Sequence, residues 1–207
     1  MKNHKAIAFF SGFPDRRFTD EIARRLKKEL AVRGRIVFIT ACPEDYQQND
    51  EDSAGMHHMF AEYGMGFERF CVIDNRTDPA DAREWAREAD CFFLMGGGVC
   101  AEQLQLIREK GIYDIVRDGP AMVLGVSAGS MNMGKTTVDI WESPIPYEGL
   151  GFADITMLAH FSYDDTERLR LMKAVSMERP VCAMEDESAI FIKNDKAEII
   201  GIIHRIV

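Results

Sequence analysis

The first two-thirds of the chain alternates short apolar runs with stretches of helical pattern, and this rhythm restricts the fold more than any other feature. Segments 6–10, 35–40, 67–73, 91–95 and 121–126 read as strands. Between them, 20–32 reads as an amphipathic helix, with Thr19 as its N-cap and Gly34 beyond its end. Segment 41–52 reads as a polar, acidic loop, and 53–63 as a helix that stops at Gly64. Asp78-Pro79 supplies an N-cap and a proline at the first helical position, opening a helix to about Glu88. A further helix runs to Lys110 and stops at Gly111. Strands alternating with helices of this length predict an α/β sandwich of three layers, a mostly parallel sheet with helices on both faces. In such sheets ligands bind outside the carboxyl ends of the strands.

The last third changes character. Segment 154–159 reads as a strand and 166–177 as a helix. Segments 181–184, 188–193 and 198–207 read as strands, with Asn194-Asp195 as the hairpin turn between the last two. No linker, repeat or low-complexity segment interrupts the 207 residues, so one domain spanning 1–207 is expected. The excess of 34 acidic over 25 basic residues argues against nucleic acid or an anionic membrane as partner. The apolar run after the N-terminus is too short for a signal segment, and no stretch approaches a membrane span. Cys42, Cys71, Cys91, Cys100 and Cys182 show no C-x-x-C spacing and read as reduced, mostly buried thiols, which suits a cytoplasmic location.

The strand at 121–126 leads into Gly125-Val126-Ser127-Ala128-Gly129. This is G-x-S-x-G at a strand-to-helix turn, the pattern of a nucleophile elbow. Such a turn lifts the serine oxygen above the sheet edge. The helix starting at Ala128 offers free N–H groups and a positive dipole end to a developing oxyanion. The plainer reading is a small-residue turn with Ser127 as an ordinary N-cap.

A serine nucleophile needs a base. His4 and His204 lie near the termini, and consecutive His57 and His58 point in different directions on a helix, as on a solvated face. His160 ends a strand-like apolar run before the polar segment 162–165, where a strand hands a side chain to a site rim. Its competing reading is a hydrogen-bonded structural histidine. An acid must then orient the imidazole. Asp139 and Glu142 lie between serine and histidine, and Glu185, Asp186 and Glu187 lie after it. Gly96-Gly97-Gly98 follows a strand and fits a loop whose backbone supplies a second oxyanion N–H beside that of Ala128.

Taken in order, Leu94 to Gly98, Gly125 to Ser130, Ala159-His160-Phe161 and Met184 to Glu187 resemble peptidase E, the aspartyl-dipeptidase and cyanophycinase-like family of serine peptidases. The resemblance implies a fold similar to class I glutamine amidotransferases, of flavodoxin-like type. It implies Ser127 as nucleophile, His160 as general base and an acid at the late strand corner. That acid falls on Asp186, with Glu185 next; an assignment shortly after the elbow would mean Glu142 or Asp139. It also implies Gly97 or Gly98 beside Ala128 in the oxyanion hole. The chain departs from the family pattern at Val99, at Ala159 and at Glu185-Asp186-Glu187. Those departures touch substrate contacts and the third member of the set, and bear on an aspartyl preference more than on the serine chemistry.

The expected activity is hydrolysis of short peptides, including dipeptides with N-terminal aspartate, with no metal or organic cofactor and by a monomer or homodimer. Three alternatives stand beside it. One is an esterase or acyl hydrolase on the same elbow. Another is a non-catalytic binding protein on an amidotransferase-like scaffold. The third is a cysteine enzyme using Cys100 or Cys42.

Overall fold

The computed structural model describes residues 5–98, 100–140 and 143–206. In chain order the elements are β1 (Ile7–Phe10), α1 (Asp20–Glu29), β2 (Arg35–Ile39), α2 (Tyr46–Glu62), β3 (Arg69–Ile73), α3 (Pro79–Arg87) and β4 (Cys91–Leu94). There follow α4 (Cys100–Glu109), α5 (Tyr113–Asp118), β5 (Met122–Val126), α6 (Ala128–Met133), β6 (Thr136–Asp139) and β7 (Ser143–Glu148). The chain ends with β8 (Thr156–Leu158), α7 (Thr166–Ser176), β9 (Val181–Met184), β10 (Ala189–Lys193), β11 (Lys196–Ile200) and β12 (Ile203–Ile206).

Seven strands form the main sheet in the order β11-β10-β1-β5-β4-β2-β3. Strands β1 to β5 run parallel, and β10 and β11 extend the sheet antiparallel beside β1. The parallel strands β1, β4 and β5 are buried along their whole length, as expected where helices cover both faces. Alternate residues feed two cores. Ile36, Phe38, Phe93 and Leu124 join Ile22 and Leu26 of α1 and Phe60 of α2 on one face. Val37, Ile39, Phe92 and Val123 join Ala82 of α3, Leu104 of α4 and Met131 of α6 on the other. This is the mostly parallel α/β architecture that the alternating pattern predicts, with the class I glutamine amidotransferase-like fold.

A second sheet, β12-β9-β8, joins the core on the α4 and α6 face through Met157, Val181 and Met184. The carboxyl ends of β1, β5, β8 and β9 meet at one edge of the molecule, joined by hydrogen bonds across the two sheets.

The local signals hold at most boundaries. Thr19 Oγ1 accepts the N–H of Ile22, and Asp78 Oδ1 accepts that of Ala80, so both predicted caps form. Asn194 and Asp195 both take positive φ, at 52° and 60°, as a two-residue hairpin turn demands. Four departures have physical reasons. Helix α2 begins at Tyr46 rather than Ser53, because buried Asn49 serves as a tie: its side chain accepts from Thr40 Oγ1 at 2.6 Å and donates to Cys42 O at 3.0 Å. Its polar residues thus anchor a helix instead of a loop. Short α5 forms where Ile112 and Val116 bury themselves. The hairpin β6–β7 forms from a stretch that alternates too weakly to read as strands. The single strand expected over 198–207 is two strands, split where Gly201 turns at φ 80° and sends β12 across to pair with β9. Among the described residues, no helix is long and apolar enough to cross a membrane.

Candidate active site

Val126 ends β5 in the middle of the main sheet, and α6 begins two residues later. Ser127 makes the turn with φ 53° and ψ −120°, a conformation L-residues rarely adopt. Several bonds hold it there. The Ser127 N–H points to Phe10 O and Ser11 O at 3.1 and 3.0 Å. Buried Ser130 accepts the Phe10 N–H at 2.9 Å and donates to Gly125 O at 2.6 Å, riveting the elbow to β1. Gly129 is required sterically, since a Cβ there would collide with Leu94 O and stand 2.8 Å from Leu94 Cβ. The serine side chain makes no capping bond to α6. Ser127 is therefore not an ordinary N-cap.

Its Oγ instead lies 2.9 Å from His160 Nε2. His160 follows β8 and takes φ 56°, another left-handed residue. Both ends of its backbone are clamped: Ser11 Oγ accepts its N–H at 2.7 Å, and Arg168 Nη1 donates to its carbonyl at 2.7 Å. Arg168 is brought there by α7, whose N-cap Asp165 accepts the Arg168 N–H at 2.9 Å. On the far side of the ring, Nδ1 is 2.7 Å from Asp186 Oδ1. With the proton on Nδ1 donated to the carboxylate, Nε2 is left as acceptor for the Ser127 hydroxyl. Asp186 stands just past β9, and Ser11 Oγ, which donates to Met184 O at 2.8 Å, lies 3.3 Å from Asp186 Oδ1. Ser127, His160 and Asp186 thus form one unbroken chain of hydrogen bonds, contributed by the ends of β5, β8 and β9.

The other acids go elsewhere. Glu185 Oε1 is 2.7 Å from His204 Nε2, whose Nδ1 lies 3.2 Å from Tyr163 Oη. Asp139 is buried on β6, where its Oδ2 accepts the Cys100 N–H at 3.3 Å. Glu142 lies outside the described residues, as do His4 and Val99. His57 stacks on Phe70 with ring centroids 4.4 Å apart, and exposed His58 pairs loosely with Glu62.

The glycine run passes beside the serine. A Cβ on Gly96 would lie 3.2 Å from Ser127 Cβ. Gly97 packs so closely on Ala41 and Cys42 that a Cβ would come within 2.8 Å of each. The Gly98 N–H points to Cys42 Sγ at 3.5 Å, a weak contact. Cys100 sits at the start of α4, where burial first, and then Asp139, push its thiol up to about 12. A thiol held that firmly in its protonated form is no nucleophile.

Two residues that sequence reasoning passed over complete the arrangement. Ser11 ties the ends of β1, β8 and β9 together. Gly12 lies against the His160–Asp186 pair, where a Cβ would collide with Asp186 Oδ1 and stand 2.6 Å from His160 Cε1. Their only sequence signal was position: they follow β1, whose neighbour in the sheet is the elbow strand.

Ser–His–acid chains at a strand-to-helix turn belong to hydrolases that work through a serine. The sequence matches the model of peptidase family S51 over residues 8–200, and the chain belongs to that family. It is a serine-type peptidase, a hydrolase. Its fold is similar to that of a peptidase from an acI-B1 Actinobacterium, with TM-score 0.70 and 13% identity, covering 98% of this chain and 91% of that one. It is likewise similar to a candidate peptidase E protein from Listeria monocytogenes EGD-e, with TM-score 0.70 and 15% identity, covering 96% and 98% of the two chains. No curated protein sequence matches the chain.

Proposed function

We propose that this peptidase hydrolyses short peptides through an acyl-enzyme, with Ser127, His160 and Asp186 as its working residues. Ser127 attacks the scissile carbonyl while His160 takes its proton and later delivers it to the leaving amine. Asp186 keeps the imidazole in the tautomer that accepts at Nε2 and stabilises the imidazolium as it forms. The N–H groups of Ala128 and of Gly97 or Gly98 receive the oxyanion. Gly97 is favoured of the two, because the Gly98 N–H already faces Cys42 Sγ. This chemistry asks for no metal or organic cofactor. The free thiols of the described cysteines suit work in a reducing cytoplasm.

The observation that carries this reading is the continuous relay, at 2.9 and 2.7 Å, starting from a serine held in a strained turn. Dipeptides with N-terminal aspartate are the substrates that the family resemblance suggests. Which side chain the site accepts is the part of this reading that rests on the resemblance alone.

Labelling with a small fluorophosphonate tests the proposal. Wild-type protein takes up the label on Ser127, and Ser127→Ala and His160→Ala do not. Wild-type protein that stays unlabelled under conditions where it cleaves peptides would overturn it.

A further inference from the structure

A second pocket opens on the opposite face of the sheet from α4. It holds about 160 Å³, and its walls are Phe13, Phe18, Met56, Met59, Phe93 and Val126. Arg16, Asp52 and Gly55 stand at its edge. Two covalent connections put it next to the relay. Val126 in its wall is the residue before Ser127. Phe13 in its wall is the residue after Gly12, which lies against His160 and Asp186. Phe93 belongs to β4, which leads into the glycine run.

The pocket is suited to an apolar occupant. Phe18 and Phe93 are almost wholly buried, and Met59 and Val126 are each 7% exposed, so the floor offers hydrocarbon and thioether surface. A void of about 150 Å³ lined this way is large enough for benzene. Methionines at the wall adapt to rings and branched chains alike.

Gly55 is the second, independent sign. It lies in the middle of α2, where glycine is the poorest helix former after proline. Nothing in the packing requires it, since a Cβ at this position would meet no atom within 4 Å. Gly55 is also among the residues that line the pocket, so a glycine here leaves that part of its rim without a side chain.

We infer that this pocket is the specificity site of the peptidase and takes a large apolar side chain, aromatic or branched aliphatic, from a residue flanking the scissile bond. The inference rests on Ser127 as nucleophile. Burying such a side chain favours its peptide over a glycine peptide on the order of tenfold or more.

The test measures how dipeptides slow fluorophosphonate labelling of Ser127, which needs binding but no turnover. The panel is Xaa-Ala and Ala-Xaa, with Xaa as Gly, Asp, Leu or Phe. In the wild type, Leu or Phe at one of the two positions protects at roughly tenfold lower concentration than Gly or Asp. Gly55→Leu, built out from a Cβ that meets no atom within 4 Å, is expected to narrow the mouth and bring that ratio towards one, while the single methyl of Gly55→Ala leaves most of it. Equal protection across the panel, or strongest protection by Asp, overturns the inference and leaves the serine mechanism standing. A preference that persists in Gly55→Leu also overturns it. Failure of the wild type to label with the reagent alone removes the serine mechanism first, and the pocket assignment with it.

Discussion

His160 Nδ1 and Asp186 Oδ1 lie 2.7 Å apart, and Gly12 covers the pair so closely that a methyl group there would stand 2.6 Å from His160 Cε1. Gly12→Ala therefore has to push the imidazole or the carboxylate aside. The expected outcome is a loss of about a hundredfold or more in kcat/KM, the cost of misplacing a reacting group by about 1 Å. Circular dichroism of the variant should match the wild type. Unchanged kinetics would mean that the pair is not needed for the reaction.

Asp186 and Glu185 are adjacent in sequence but serve different histidines. Asp186→Asn removes the acceptor behind Nδ1 and is expected to lower kcat by about 10²–10⁴. Glu185→Gln disturbs only the contact to His204 and should change kcat by less than about tenfold. Steady-state kinetics on one peptide, for both variants side by side, separates the two carboxylates. A larger loss from Glu185→Gln would reverse the assignment.

Gly55→Ala replaces a mid-helix glycine where the added methyl meets no other atom within 4 Å. It should stabilise the fold by up to about 1 kcal/mol, by lowering the entropy of the unfolded chain and improving helix propensity. A denaturant titration reads this as a higher midpoint with an unchanged slope. A lower midpoint would show that Gly55 has a packing role after all.

Alkaline pH should weaken the fold. Burial pushes the Cys71 and Cys100 thiols up to about 12 from an ordinary 9, and raises those of Cys91 and Cys182 as well. Above about pH 9 the unfolded chain loses these protons while the folded chain keeps them, so stability falls as pH rises. Lys5 acts in the opposite sense. Burial lowers it from 10.5 to about 8, so the folded state sheds its proton first and gains stability between those values. Four thiols oppose one amine, so the net slope is downward. Denaturation midpoints from about pH 8 to pH 10 check the sign, and Cys71→Ala should flatten the curve.

Much of this was legible because local chemistry and the global fold agree. The caps at Thr19 and Asp78 and the Asn194-Asp195 turn form as their side chains dictate, and the parallel strands read as unbroken apolar runs because both faces are covered. The G-x-S-x-G turn and His160 were visible since each ends a strand. The residues alone left the choice among the acids open, because Glu185 and Asp186 differ only in which way the chain turns after β9, and it was the family resemblance that put Asp186 first. Ser11 and Gly12 were silent for a similar reason: the partners of Ser11, His160 and Asp186, are 149 and 175 positions away in sequence, Gly12 packs on the same pair, and nothing local marks either residue. Helix α2 started early because Asn49 answers to Thr40, a tertiary tie that no propensity encodes.

Ser127 rides on the main sheet, while His160 and Asp186 follow strands of the smaller one. The relay is thus a seam between two sheets that share a core, and Ser11 is its stitch, bonded at once to the His160 N–H and to Met184 O. A slip of the small sheet by about one ångström would part the His160 ring from the Ser127 hydroxyl, 2.9 Å away, while leaving both sheets intact. Enzymatic competence then depends on how the two sheets are docked as much as on the three residues themselves.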